Sequence, residues 1–575
     1  MTSINLRWLC LAVFTSTLLG IVGCGENRNS TTNKTRLIKE PEQLRKESLE
    51  SLLQAQTVDQ IKSALAQLDN QGTKDRPKFT EDDQKQVEQY FKLNPEDLEE
   101  MTRVDFTPSD AAYLDDYFYV RSAIKSLELE GLSKLQQAQE TISWCARMCI
   151  FEKEAKRGLV GVMPAVPAKL ALQAGGGNRV TRANLWLTAL RTLGFTSCLI
   201  GPPSLEPVGK PSPANLPNIR AVGILWEREV YVFELETGKL ITAADGKTPL
   251  TLKQIRTTEP PLKGWDTLAP KVEEIKTWLP HVVLPMNSLT PKMRWLQTAL
   301  GASHQLHFAF DVKAYFDSFG TELPAKSWSS VQDPFHPFRL ITSFATKSGR
   351  GGLQDALRRS YFPLHLLRID FGNLPEEVAE GIVGVLANGY QQRFDPLRFE
   401  GSPRDLMIQG KFQEATAALG EIKGRADRDR QRAETQPVKF EEFQKTLQEI
   451  QNLMSSVVRA TNDGDQAEEM RAKQKRDEAL KDTRRTDILQ GYIGGETSQP
   501  VAAEAAFVLA QLAQEKAIRY QNRYADPKQV KLSWQNARDS WKRFLDNYPK
   551  VKGKFPDMER HAQMMMAIAE EHLKK

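Results

Sequence analysis

A chain of 575 residues with 40 % hydrophobic and 26 % charged residues has enough apolar material for a buried core and enough length for about two to four domains. The net charge of +5 is spread over interspersed acidic and basic residues, which excludes the concentrated basic face of a nucleic-acid-binding protein. Beyond the first 23 residues no apolar run is long enough to span a bilayer as a helix.

The N-terminus reads as an export signal. Arg7 gives a positive start, and Trp8 to Leu19 form an apolar run too short for a membrane span. Ile21-Val22-Gly23-Cys24 then places small residues before a cysteine. This resembles the lipobox of bacterial lipoproteins, which implies cleavage of residues 1–23 and acylation of Cys24. Several acyl chains at one point hold a soluble body far more firmly than a single chain does. Residues 24–45 are expected to be a flexible tether, since they open on a polar run. The resemblance implies a chain in the bacterial cell envelope, facing the periplasm and in contact with the membrane through its lipid. Gly25 stands where an aspartate retains some lipoproteins in the inner membrane, so the outer membrane is preferred.

Residues 46–108 read as a helical region. Leu44, Leu52, Val58, Ile61, Leu65 and Leu68 recur at helical spacing, Thr57 is a candidate cap, and Pro95 is a first-turn proline. Tyr113, Tyr117, Val120, Ile124 and Leu127 mark a second amphipathic stretch. After Gly131 the pattern resumes through Leu135, Ala138, Ile142, Cys145 and Cys149. A good disulfide between Cys145 and Cys149, four apart on a helix, is disfavoured, and both read better as small buried hydrophobes.

The pattern changes after residue 158. Pro164 and Pro167 mark an extended loop, and Gly175-Gly176-Gly177 comes next. Thr181 is then expected to cap a helix with Leu185, Trp186, Ala189, Leu190 and Leu193 on its apolar face, ended by Gly194. Phe195 to Ile200 reads as a strand, and 221–226 with 230–233 as a hairpin turning at 227–229. Leu240 to Thr242 reads as a further short strand. The order implies an α+β fold.

Residues 259–400 are a mixed linker and helical region, and 401–500 a charged helical region with an exposed helix and linker over 459–500. Leu406, Gly410, Phe412, Ala415 and Leu419 are similar to half of a tetratricopeptide unit. In 501–575, Ala505, Leu509, Leu512, Ala513 and Ala517 pair with Trp534, Ala537, Trp541 and Phe544 before Tyr548-Pro549. This resembles tetratricopeptide helices, with a plain helical bundle as the open alternative.

Residues 109–258 resemble the transglutaminase-like (papain-like) superfamily. Ala183, Leu185, Arg191, Leu193 and Gly194 match its central helix, and the hairpin 220–234 matches its antiparallel strand pair. The resemblance implies a nucleophilic cysteine at the helix start and a histidine and an acid on the strands. This chain departs from that pattern. The nucleophile's position falls near Arg179, no cysteine lies between 150 and 197, and no histidine precedes His281. Glu234 stands about where the acid would orient an imidazole. The domain is therefore expected to be degenerate, with no catalytic residue and no cofactor.

Arg179, Arg182 and Glu234, beside the glycine-rich loop and a helix N-terminus, are the candidate site for an anion or a peptide carboxylate. Two solvated arginines beside a structural loop are the competing reading. His304 and His307 lack the glutamate and third ligand of a zinc protease, and His336 lies in a turn, so all are expected to be structural. The expected function is non-catalytic binding or scaffolding of a protein or peptide partner in the envelope. The alternative is a noncanonical cysteine enzyme of transglutaminase or protease type built on Cys198, which needs a base near that thiol.

Overall fold

The computed structural model describes residues 41–72, 76–93, 95–151, 157–158, 161–162, 167–205, 218–257, 272–321, 323–328, 401–463, 465–523, 526–547 and 556–574. The expected export signal with Cys24, most of the expected tether, and Tyr548-Pro549 lie outside them. The fold mixes helix and sheet, with helix predominating and a helical C-terminus.

Helices α1 (Pro41–Gln54), α2 (Val58–Asn70), α3 (Glu81–Glu88) and α4 (Pro95–Thr102) lead into α5 (Pro108–Lys125) and α6 (Lys134–Met148). Helix α1 begins inside the stretch read as tether. Thr57 caps α2 through a reciprocal capping box with Gln60. Thr107 and Ser133 do the same for α5 and α6. Helix α5 serves two cores, because Ala111, Leu114 and Tyr117 face α1, α2 and Phe308, while Val120, Ala123 and Ile124 face α6.

Strand β1 (Ile150–Phe151) is next, then the short pair β2 (Arg157–Gly158) and β3 (Gly161–Val162). After these come α7 (Ala168–Ala174), β4 (Gly176–Gly177) and α8 (Arg179–Thr192). Pro167 is itself extended, as the loop reading expects, and α7 follows it directly as a helix the sequence pattern does not announce. Helix α8 is buried nearly all round, from Val180 through Leu190, as a central helix must be.

Strands β5 (Thr196–Gly201), β6 (Ala221–Trp226) and β7 (Glu229–Glu234) form the expected antiparallel run. Glu227 and Arg228 at the hairpin tip both have positive φ, as a two-residue turn between twisted strands demands. Leu240 to Thr242 makes isolated bridges to Phe233 and Pro249 instead of a strand. Helices α9 (Leu252–Thr257) and α10 (Val272–Ile275) lead to β8 (Leu279–Val282). After α11 (Pro291–Leu300) and α12 (Val312–Asp317) comes β9 (Lys326–Ser327). The sheet order is β7-β6-β5-β8-β9, so residues beyond 258 complete the same sheet, β8 antiparallel to β5. Alternation separates its faces. Leu199, Val222, Ile224 and Phe233 join the α8 core, while Cys198, Ile200, Ala221 and Val232 join Trp278, Val282 and Phe316.

The C-terminal region comprises α13 (Pro403–Ile408), α14 (Phe412–Thr435), α15 (Phe440–Asp463), α16 (Gln466–Lys481), α17 (Thr483–Arg523), α18 (Pro527–Asn547) and α19 (Pro556–Lys574). Helix α17 runs 41 residues through Pro500, so no linker separates the charged helical region 401–500 from the C-terminal region 501–575. Phe443 stacks on Tyr492 at 4.4 Å near one end of α17, and Phe507 meets Trp541 edge-on at 5.2 Å nearer the other. Met407, Ile408, Val501 and Val508 share the core of α8, so these helices dock directly on the mixed region.

Candidate functional site

The chain around α8 is built by tight backbone contacts. Cys149 ends α6 in an extended conformation, which turns Ile150 and Phe151 into parallel pairing with Gly176 and Gly177. Gly175 ends α7 at φ +75°, in the left-handed region, and a Cβ there would lie 2.4 Å from the Arg404 guanidinium carbon. Gly175→Ala is therefore expected to lower the unfolding free energy by about 2 kcal/mol or more in denaturant titration. At Gly177 a Cβ would stand 2.5 Å from the Thr181 side chain.

Asn178, not Thr181, caps α8. Its side-chain oxygen accepts from the N–H of Val180 at 3.0 Å and of Thr181 at 3.1 Å. The glycine-rich segment is thus a helix terminus followed by paired extended backbone. Two of the first-turn donors expected to meet an anion, the N–H groups of Val180 and Thr181, are taken up by the cap.

Arg182 lies one turn into α8 and is completely buried. Its guanidinium carbon is 5.4 Å from the centroid of the Phe151 ring and 5.3 Å from that of Trp186. Among the described residues none of its three side-chain nitrogens has a hydrogen-bond acceptor. Trp186 Nε1 and Thr181 Oγ1 are likewise buried without a partner among them. Burial lowers the basicity of Arg182, opposed by the fields of Cys149, Glu234, Glu236 and Cys145.

Glu234, also buried, is committed to its own turn. It accepts from the N–H of Glu236 at 2.8 Å, the N–H of Thr237 at 2.6 Å and the Thr237 hydroxyl at 2.7 Å. Burial raises its pKa against these bonds and the nearby Arg182. Arg182 and Glu234 are thus brought within electrostatic reach without an ion pair. Arg179 stands apart. It is partly exposed, and burial, then the charge of Arg220, lowers its pKa. Arg220 is held by Glu274 at 2.7 Å.

The C-terminal helices close over this place. Arg404 of α13, 1 % exposed, donates to the Met148 carbonyl, to Leu172 O at 2.8 Å and to Gln511 Oε1 at 2.7 Å. Arg147 pairs with Glu515 at 2.6 Å. Arg560 of α19 donates to Phe151 O at 2.9 Å and pairs with Glu236 at 3.1 Å. His561 is buried beside Phe507 and Trp541, and its pKa is pushed down to about 3 by burial and then by Arg182 and Arg404. Nothing in the sequence ties Arg404, Arg560 or His561 to Arg182.

Cys198 is sealed in the core on the other face of the sheet, and burial pushes its thiol pKa up. The register sets His281 opposite Leu199, so the imidazole leaves the sheet on the face away from Cys198. Its Nε2 bonds Pro202 O at 2.8 Å. The thiols of Cys145, Cys149 and Cys198 are all buried and unbridged. His304 is exposed in a short turn and His307 packs against Gly194, while His336 lies outside the described residues. Compared with protein-family models, curated proteins and solved structures, the chain has no significant match.

Proposed function

We propose that this chain is a lipid-anchored protein of the bacterial cell envelope, held through acylated Cys24, and that its body is a degenerate transglutaminase-like module that binds or scaffolds a protein or peptide partner. One observation carries the non-catalytic part. The start of α8, where the resemblance expects a nucleophile, bears an asparagine cap and the buried Arg182 beneath α13 and α19. The succession α8, β5, β6, β7 agrees with the resemblance in order. The tetratricopeptide-like helices supply further surface, and of Arg179, Arg182 and Glu234 it is the partly exposed Arg179 that marks where an anionic group of a partner is read, the other two being buried.

Three measurements test this. Cys24→Ser moves the chain from the membrane to the soluble fraction of the envelope, and persistence in the membrane overturns the anchor. The folded chain resists a thiol-directed probe at Cys198. Labelling that Cys198→Ser abolishes revives the cysteine-enzyme reading. Crosslinking in intact envelopes then recovers the partner, and recovery of none overturns the binding role.

A further inference from the structure

We infer that Arg182 anchors a buried site for one small monovalent anion, a carboxylate or a halide, at the seam between the sheet region and the C-terminal helices. The inference goes beyond the binding reading above, since the anion is enclosed in the fold, and it is independent of the lipid anchor.

An ionised guanidinium removed from water costs several kcal/mol unless its charge and its N–H groups are met. Native interiors rarely leave such donors unpaired, and an ion or water commonly accounts for those they do. The Phe151 and Trp186 rings offset part of the charge. They supply no lone-pair acceptor for the five N–H donors of the fork.

The carboxylates nearby are engaged elsewhere. Glu234 receives three donors from Glu236 and Thr237, and Glu236 pairs with Arg560. Orphan donors outnumber what the fork's neighbours accept, since Trp186 Nε1, a donor only, is unpartnered among the described residues as well, and the unpartnered Thr181 hydroxyl can turn its O–H to the same acceptor. An acceptor-only species meets that imbalance, and an anion also meets the charge.

The same surroundings set its valence. Arg182, with Arg404 and Arg560 close enough to act on the shared neighbour His561, attracts negative charge. Glu234 and Glu236 oppose a second unit of it. A planar carboxylate matches the guanidinium fork, and a halide meets the same charge without the fork geometry.

Complete burial of Arg182 means that the anion is enclosed when α13 and α19 dock, so it stabilises the docked state by mass action. The test is thermal unfolding of the full chain in formate, acetate, chloride and phosphate series, at a pH well above the second ionisation of phosphate so that it is present as the dianion, each balanced to constant ionic strength with a bulky sulfonate. The expected result is a melting temperature that climbs with the logarithm of formate, acetate or chloride concentration. Phosphate, which stabilises folded proteins by exclusion from their surface, acts equally on wild type and Arg182→Met, and the climb in the other salts is abolished in Arg182→Met. Formate and acetate acting more strongly than chloride assigns an organic carboxylate, and the reverse assigns a halide.

Identical responses of wild type and Arg182→Met to formate, acetate and chloride overturn the site, and a climb in phosphate that Arg182→Met abolishes overturns its valence. Should Arg182→Met not fold, equilibrium dialysis of wild type with radiolabelled formate and chloride decides. One bound anion per chain is expected, and none overturns the proposal. Fractionation of Cys24→Ser is unaffected by either result, so failure of this site and failure of the anchor remain distinguishable.

Discussion

Arg404→Ala lowers the unfolding free energy by about 4 kcal/mol, read as a shift of the denaturant midpoint at unchanged slope. Arg404 is 1 % exposed and bonds three elements at once, through Met148 at the end of α6, Leu172 in α7 and Gln511 in α17. Truncation strands two buried carbonyls and one amide, and each stranded group costs about 1–3 kcal/mol. Arg404→Lys keeps the charge but loses the planar fork, so it restores less than half of the loss. A change below about 1 kcal/mol for Arg404→Ala would show that the C-terminal helices are held by their apolar contacts alone.

The stability advantage of wild type over His281→Gln shrinks by about 2–3 kcal/mol between pH 7 and pH 4.5. His281 is buried and its pKa is pushed down to about 4, mainly by burial. In the unfolded chain it binds a proton near pH 6.5. Its contribution is therefore complete above pH 6.5 and is lost as the pH falls from there to about 4. Glutamine keeps a donor for Pro202 O and does not titrate, which isolates the proton from the hydrogen bond. His561 carries the same sign down to about pH 3.

Asp116 works the other way. Its carboxyl is pushed up to about 6, mainly by burial, so it favours the folded chain as the pH falls from 6 towards 3.8. The whole-protein curve is flattened by this opposition, which is why the difference against His281→Gln is the informative quantity. An advantage constant from pH 7 to pH 4.5 would mean that the imidazole is protonated in the fold.

Local signals are readable where one residue type meets one local demand. Thr57 caps, Gly194 ends a helix, and alternation locates the hairpin 221–234, each within a few residues of its cause. Helix α7 is invisible to such reading because all seven of its residues are buried, which leaves no periodicity to detect. Thr181 and Asn178 are both good caps by chemistry, and the helix takes the one preceded by close packing of Gly177 on its first turn. Strands β8 and β9 carry no local signature because their partners lie far away in the chain.

The candidate site divides along the same line. Its cations at the start of α8 and the acid at the end of β7 are legible from helix and hairpin patterns, but their relation is not. The residue order alone carries the export-signal pattern ending at Cys24, the amphipathic helices, the hairpin and the lack of a family-type thiol and imidazole between 150 and 197. Packing in three dimensions is needed to leave Arg182 buried and unpaired among the described residues, to spend Glu234 on its own turn, and to close the seam with Arg404 and His561. The difference is one of range. Caps, turns and periodicity act within a few residues, whereas burial and electrostatic partnership depend on which distant segments pack together.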